Sequence, residues 1–168
     1  MNKEVQIAKI LRPHGLKGTL KISPLYDDIP FSKLNLVTVG MHSERMHVEH
    51  VQPMHQFYLI QFKEITSIEQ AEFYRNQGIY VDRSMYPEIF EDLVLSSDYI
   101  GCEVFDENNK KVGVVVDYDD FGSAPIISIN CGGTTYMVPF IEDTLQYVKE
   151  REIFIIDSKR FLETRVWE

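Results

Sequence analysis

Val5-Gln6-Ile7-Ala8-Lys9-Ile10-Leu11-Arg12-Pro13-His14-Gly15-Leu16-Lys17-Gly18-Thr19-Leu20-Lys21-Ile22 reads as two apolar strands joined by a tight basic loop. Val5, Ile7, Ala8, Ile10 and Leu11 carry the first apolar pattern, and Leu20 and Ile22 carry the second. Gly15 and Gly18 can take backbone conformations closed to other residues. Pro13 fixes φ and stiffens the approach to the turn. Alternation past the turn puts Lys17, Thr19 and Lys21 on one face of the second strand. A loop of this composition offers backbone N–H groups and positive charge to an anion, and RNA phosphate is the large anion that fits it. Arg12, His14, Lys17 and Lys21 are the candidate contacts, with Gly15 and Gly18 shaping the loop.

Working outward, the first half continues as strands. Leu36–Val39 and Met46–Val51 are strand-like, with Gly40 as a turn, and Phe57–Phe62 is an aromatic and β-branched run suited to a buried strand. Thr66 and Ser67 stand three residues before Glu69 and Gln70, the spacing of a capping box, so a short helix is expected there. Ile68, Ala71, Tyr74 and Phe73 supply its inner stripe, Gly78 its stop, and Ile79–Val81 a returning strand. Residues 84–98 break periodicity and read as a connector, yet Ile89, Phe90, Leu93, Val94 and Leu95 give it apolar side chains that need something to pack on. Beyond it, Tyr99–Phe105, Val112–Tyr118, Ile126–Asn130, Thr135–Pro139 and Ile153–Ile156 are strands. Gly132-Gly133 is a hairpin signal, and Thr144–Lys149 reads as a single helical turn. Many short strands with one helix predict a mainly β chain built as two small β-barrel domains joined by a short connector.

The stretch AKILRPHGLKGTLKISPLYDD (residues 8–28) resembles the opening of the bacterial ribosome maturation factor RimM family. The likeness continues through Ile65–Val81, Tyr99–Val116 and Val138–Val148, in the family's order. It implies a RimM N-terminal translation-factor-like barrel over residues 1–84, a connector over 85–96 and a PRC-barrel-like domain over 97–168. Ile100-Gly101, Lys111-Val112-Gly113 and Val138-Pro139-Phe140 match the PRC-barrel pattern. It also implies a non-enzymatic role in assembling the head of the small ribosomal subunit and in processing its rRNA. The implied partners are the immature small subunit, its nineteenth protein and nearby rRNA. Counting back from Ile100-Gly101, the family's adjacent aromatic pair falls on Val94 and Leu95, which keep the apolar character and lose the rings. Val94, Leu95 and Tyr99 are the expected contacts with the ribosomal protein. Ala124-Pro125 departs from the family's Asn-Asp, and Pro125 removes a backbone donor there.

Charge divides the same way. The net charge is −9. Residues 1–90 balance at zero and residues 91–168 carry all of the excess acidity, while all five histidines lie in the first half. The acidic half should repel RNA phosphate and attract a basic protein. Lys3, Lys9, Arg12, Lys17 and Lys21 against Glu4 alone make the first 25 residues the plausible nucleic-acid face.

Other chemistries find no support. His42, His47, His50 and His55 lack ligand spacing, so no metal is expected. Ser123 sits outside any nucleophile elbow, Asp117, Asp119 and Asp120 read as a solvated turn, and no Walker loop or dinucleotide fingerprint is present, so no cofactor is expected. Cys102 and Cys131 lie far apart, as small core residues of a reduced protein. With no long apolar run and no hydrophobic leader, the expectation is a cytoplasmic monomer without membrane contact. Two competing readings are an RNA-processing or RNA-modifying enzyme, for which no base, nucleophile or metal site is found, and a PRC-barrel adaptor outside the ribosome, which leaves residues 1–84 unexplained.

Overall fold

A computed structural model describes residues 3–40, 42–120, 122–164 and 166–167. The chain forms two compact units, Met1–Leu93 and Val94–Glu168.

The first unit is a closed barrel. Its strands are β1 (Glu4–Pro13), β2 (Leu20–Pro24), β3 (Leu36–Val39), β4 (Glu44–Met54), β5 (Phe57–Phe62) and β6 (Gly78–Asp82), in the order β1-β2-β5-β4-β3-β6, with β6 pairing back on β1. Closure removes every free edge. Ile7, Ile10, Leu20, Ile22, Val39, Phe62 and Ile79 are fully buried and fill the interior. In β1, Ile7 and Ala8 are both buried, against simple alternation. A register shift against β6 between Gln6 and Ala8 turns consecutive side chains inward.

One short helix, α1 (Ile68–Phe73), follows β5. The expected cap is present: the Ser67 hydroxyl accepts from Gln70 N–H at 3.3 Å, and Thr66 N–H donates to Gln70 Oε1 at 2.8 Å. Ala71 is buried, but Phe73 is 61% exposed and does not join the inner stripe. Gly78 is not the helix stop. Asn76, at φ 65°, takes the left-handed turn, and Gly78 opens β6.

Residues 84–93 fall within the first unit. After β6 comes α2 (Pro87–Phe90), with Phe90 buried. Just before it, buried Tyr86 reaches across to β3: its hydroxyl donates to Leu36 C=O at 2.7 Å and accepts from Asn35 N–H at 3.1 Å and Leu36 N–H at 2.8 Å.

The second unit opens with α3 (Ser96–Tyr99). It continues with β7 (Glu103–Asp106), β8 (Lys111–Asp119), β9 (Ile126–Cys131), β10 (Thr134–Pro139), β11 (Leu145–Val148) and β12 (Ile153–Ile156), and ends with α4 (Ser158–Thr164) and β13 (Val166–Trp167). Its sheet is a curled half-barrel in the order β11-β12-β7-β8-β9-β10-β13. Only the β12–β7 pairing is parallel among its ladders. Gly132 and Gly133, at φ 62° and 94°, form the two-residue turn between β9 and β10, as their sequence demands. Thr144–Lys149 does not form the expected helical turn; its centre is strand, and only Lys149 enters a short 3-10 turn, Lys149–Arg151. Leu145–Val148 pairs with β12 residue for residue, so Leu145 and Tyr147 face the core. Cys102 is a buried free thiol in that core, and Cys131 is half-buried.

Candidate nucleic-acid interface

The basic loop is the β1–β2 hairpin of the barrel. Pro13 pairs with Leu20 and Arg12 with Lys21, after a register shift between Ile10 and Arg12 that brings the two cations opposite each other. His14 N–H donates to Thr19 C=O at 2.8 Å and closes the loop. Gly15 and Gly18 both take positive φ, 77° and 90°. They serve different ends. A side chain on Gly15 would meet open space, whereas a Cβ on Gly18 would stand 2.5 Å from the Ile65 carbonyl oxygen. Gly18 is therefore the point where the loop backbone rests on the segment leading into α1.

Gln61 on β5 ties these parts together, and sequence reading missed it. Its side-chain amide donates to Ile65 C=O at 2.7 Å, Phe62 C=O at 3.2 Å and Lys17 C=O at 3.3 Å. Its Oε1 accepts from the Thr19 hydroxyl at 2.7 Å. No local signal marks a glutamine on an aromatic strand for this role, because its partners lie 44 and 42 residues away. Replacing Gln61 by Ala is expected to cost about 1–3 kcal/mol, because half-buried carbonyls lose their donor. Urea denaturation should read that loss, and faster amide exchange at Lys17–Thr19 should accompany it.

With the backbone held this way, Arg12, His14 and Lys17 project into solvent. Among the described residues none of the three side chains has an ion-pair partner. Lys21 is half-buried, with Nζ 4.2 Å from the centroid of the Phe57 ring. The ring supports the ammonium without neutralising it. Leu16, 77% exposed, sits at the tip. The structure thus gathers Arg12, His14, Gly15, Lys17, Gly18 and Lys21 on one hairpin.

Elsewhere on the barrel, His47 is engaged with a carboxylate. Its Nδ1 lies 2.6 Å from Glu64 Oε1, and its backbone N–H donates to the same carboxylate at 2.9 Å. Burial pushes the Glu64 carboxyl up, but the His47 hydrogen bonds outweigh it and hold the group below its ordinary range.

The three residues expected to meet a ribosomal protein are placed differently. Val94 is half-buried, and Leu95 is 2% exposed, with its N–H donating to the Asp98 carboxylate at 2.8 Å. Tyr99 ends α3 inside an aromatic cluster, its ring 5.0 to 5.7 Å from those of Tyr118, Phe140, Tyr147 and Phe154. Burial raises the Tyr99 phenol, and carries that of Tyr147 up to about 12. Of the three, Leu95 is buried, while Val94 and Tyr99 are half-buried.

Among the described residues no helix is long and apolar enough to cross a membrane. Residues 5–86 match the family described as the RimM N-terminal domain, and residues 96–156 match the RimM PRC barrel domain. A ribosome maturation factor RimM from Lactobacillus helveticus is 34% identical over 151 residues, covering 84% of this chain and 86% of that protein. One from Thermotoga neapolitana is 27% identical over 162 residues, covering 93% and 92%. A crystal structure from Pseudomonas aeruginosa bearing the RimM name aligns at 16% identity with a TM-score of 0.47, over 92% of this chain and 96% of that one. Two family domains matched in order across most of the sequence, with relatives spanning nearly its whole length, place this chain in the RimM family.

Proposed function

We propose that this chain is a ribosome maturation factor, as its relatives' name suggests, and that it acts on the immature small subunit by binding rather than by catalysis. The barrel's hairpin meets rRNA, and the acidic second unit meets a basic protein of the subunit head, the nineteenth of the set. The carrying observation is the hairpin itself: Arg12, His14 and Lys17 stand exposed, without an ion-pair partner among the described residues, on a backbone pinned by Gly18 and Gln61. A pre-set loop loses little conformational freedom when it meets phosphate. The charge split supports the division of labour, since an anionic second unit repels RNA and attracts a cationic protein. Because Leu95 and Tyr99 are packed inward, protein binding is assigned to the exposed acidic surface of that unit, with half-buried Val94 at most at its margin. A factor that binds the unfinished particle better than the finished one favours assembly and then leaves.

The test is co-sedimentation with immature small subunits over a range of salt. Replacing Arg12, Lys17 and Lys21 together by Ala is expected to weaken association and to flatten its salt dependence, by up to about one unit of log–log slope per lost phosphate contact. An unchanged salt profile would remove the RNA assignment.

A further inference from the structure

The two units differ in one respect that bears on binding. The first is closed, whereas the sheet of the second ends at β11, which among the described residues pairs only with β12. Such an edge keeps backbone groups available to another extended chain. Leu145 N–H is already donated to Ile141 C=O at 2.9 Å, which leaves Tyr147 N–H and the Leu145 and Tyr147 carbonyls facing outward. Beside it lies a cleft of about 230 Å³, whose walls include Glu107, Glu142, Asp143, Gln146, Ile155 and Asp157. Gln146 and Ile155 are cross-strand partners, and Ile155, half-buried, gives the cleft an apolar floor.

We infer that the β11 edge and this acidic cleft together seat an extended, cationic segment of a protein partner. The inference deepens the protein-binding half of the function proposed above and rests on it. Strand addition supplies affinity through main-chain hydrogen bonds, and alternate side chains of the added strand supply specificity. A Lys or Arg side chain fits the cleft's chemistry, with its aliphatic stem over Ile155 and its head group among the carboxylates. Glu107 is fixed for this role: its carboxylate accepts from the Ser158 hydroxyl at 2.6 Å and Ser158 N–H at 3.1 Å. Asp157 caps α4 by accepting from Arg160 N–H at 2.8 Å. Lys159 and Arg160 follow on that helix but do not line the cleft. RNA is the wrong occupant, because its phosphates would meet four carboxylates.

Calorimetry and amide hydrogen exchange on the full chain, titrated with the purified nineteenth small-subunit protein, test this. Binding is expected to slow exchange most at Tyr147, whose N–H faces the open edge. The double variant Glu142→Gln/Asp143→Asn is expected to lower affinity at least tenfold, with an unchanged melting temperature and a weaker salt dependence. Binding that leaves Tyr147 N–H unprotected and is indifferent to the double variant would overturn the inference alone; the carboxylates would then merely blunt a sheet edge. No binding by the native chain would overturn both the inference and the protein-partner reading beneath it.

Discussion

Replacing Gly18 by Ala is expected to destabilise the barrel by about 3 kcal/mol, whereas the same change at Gly15 costs about 1 kcal/mol. Both glycines have positive φ, so both substitutions carry backbone strain of about 1–2 kcal/mol at most. The difference lies in what each new methyl would meet. At Gly15 it points into open space, and at Gly18 it drives into the backbone carbonyl of Ile65. That carbonyl cannot swing aside, because it also accepts the Gln61 amide at 2.7 Å and leads into the cap of α1. Urea denaturation of the two variants gives the comparison directly. Equal losses would mean that strain alone governs the loop. Gly18→Ala should also weaken association with immature particles even at salt concentrations where the protein is fully folded, since the hairpin can no longer rest on its support. Gly15→Ala should bind nearly as the native chain does.

The hairpin was legible because its information is local. Two glycines, a proline and flanking β-patterned residues specify a turn without reference to the rest of the chain. The same holds for the α1 cap and for Gly132-Gly133, whose observed φ values match their dipeptide. What stayed hidden depends on partners far along the chain. Thr144–Lys149 carries no decisive period of its own, and it becomes a strand because β12 offers it an edge. Tyr86 binds backbone groups 50 residues away, so a stretch punctuated by Ser84 and Pro87 reads as a connector although it is folded into the barrel. Gln61 is the counterpart of this case at the site, a polar side chain on an apolar strand whose purpose appears only when Lys17 and Thr19 are brought beside it. The site's cations were therefore readable and their scaffold was not.

Phe154→Ala is expected to remove about 3–5 kcal/mol from the second unit, a large share of its stability. Phe154 is fully buried on β12, between β11 and β7, with its ring 5.1 to 5.5 Å from those of Tyr99, Phe140 and Tyr147. Truncating a buried Phe costs about 3–5 kcal/mol. A unit spanning residues 94–168 has only about 4–11 kcal/mol of stability to lose, at the usual value per residue. Near-ultraviolet aromatic circular dichroism followed through a urea titration should show the second unit melting at a much lower denaturant concentration than in the native chain. Tyr147→Phe is the control: it removes a buried hydroxyl that lacks a hydrogen-bond partner among the described residues, so stability should hold or rise. The pair also decides how Tyr99 acts. Tyr99 touches the same rings, and among the described residues its hydroxyl makes no hydrogen bond. If its part in partner binding is to hold α3 against this cluster, Tyr99→Ala loses affinity and stability together while Tyr99→Phe keeps both. Weaker binding by a fully stable Tyr99→Phe would show instead that a partner reads the hydroxyl directly.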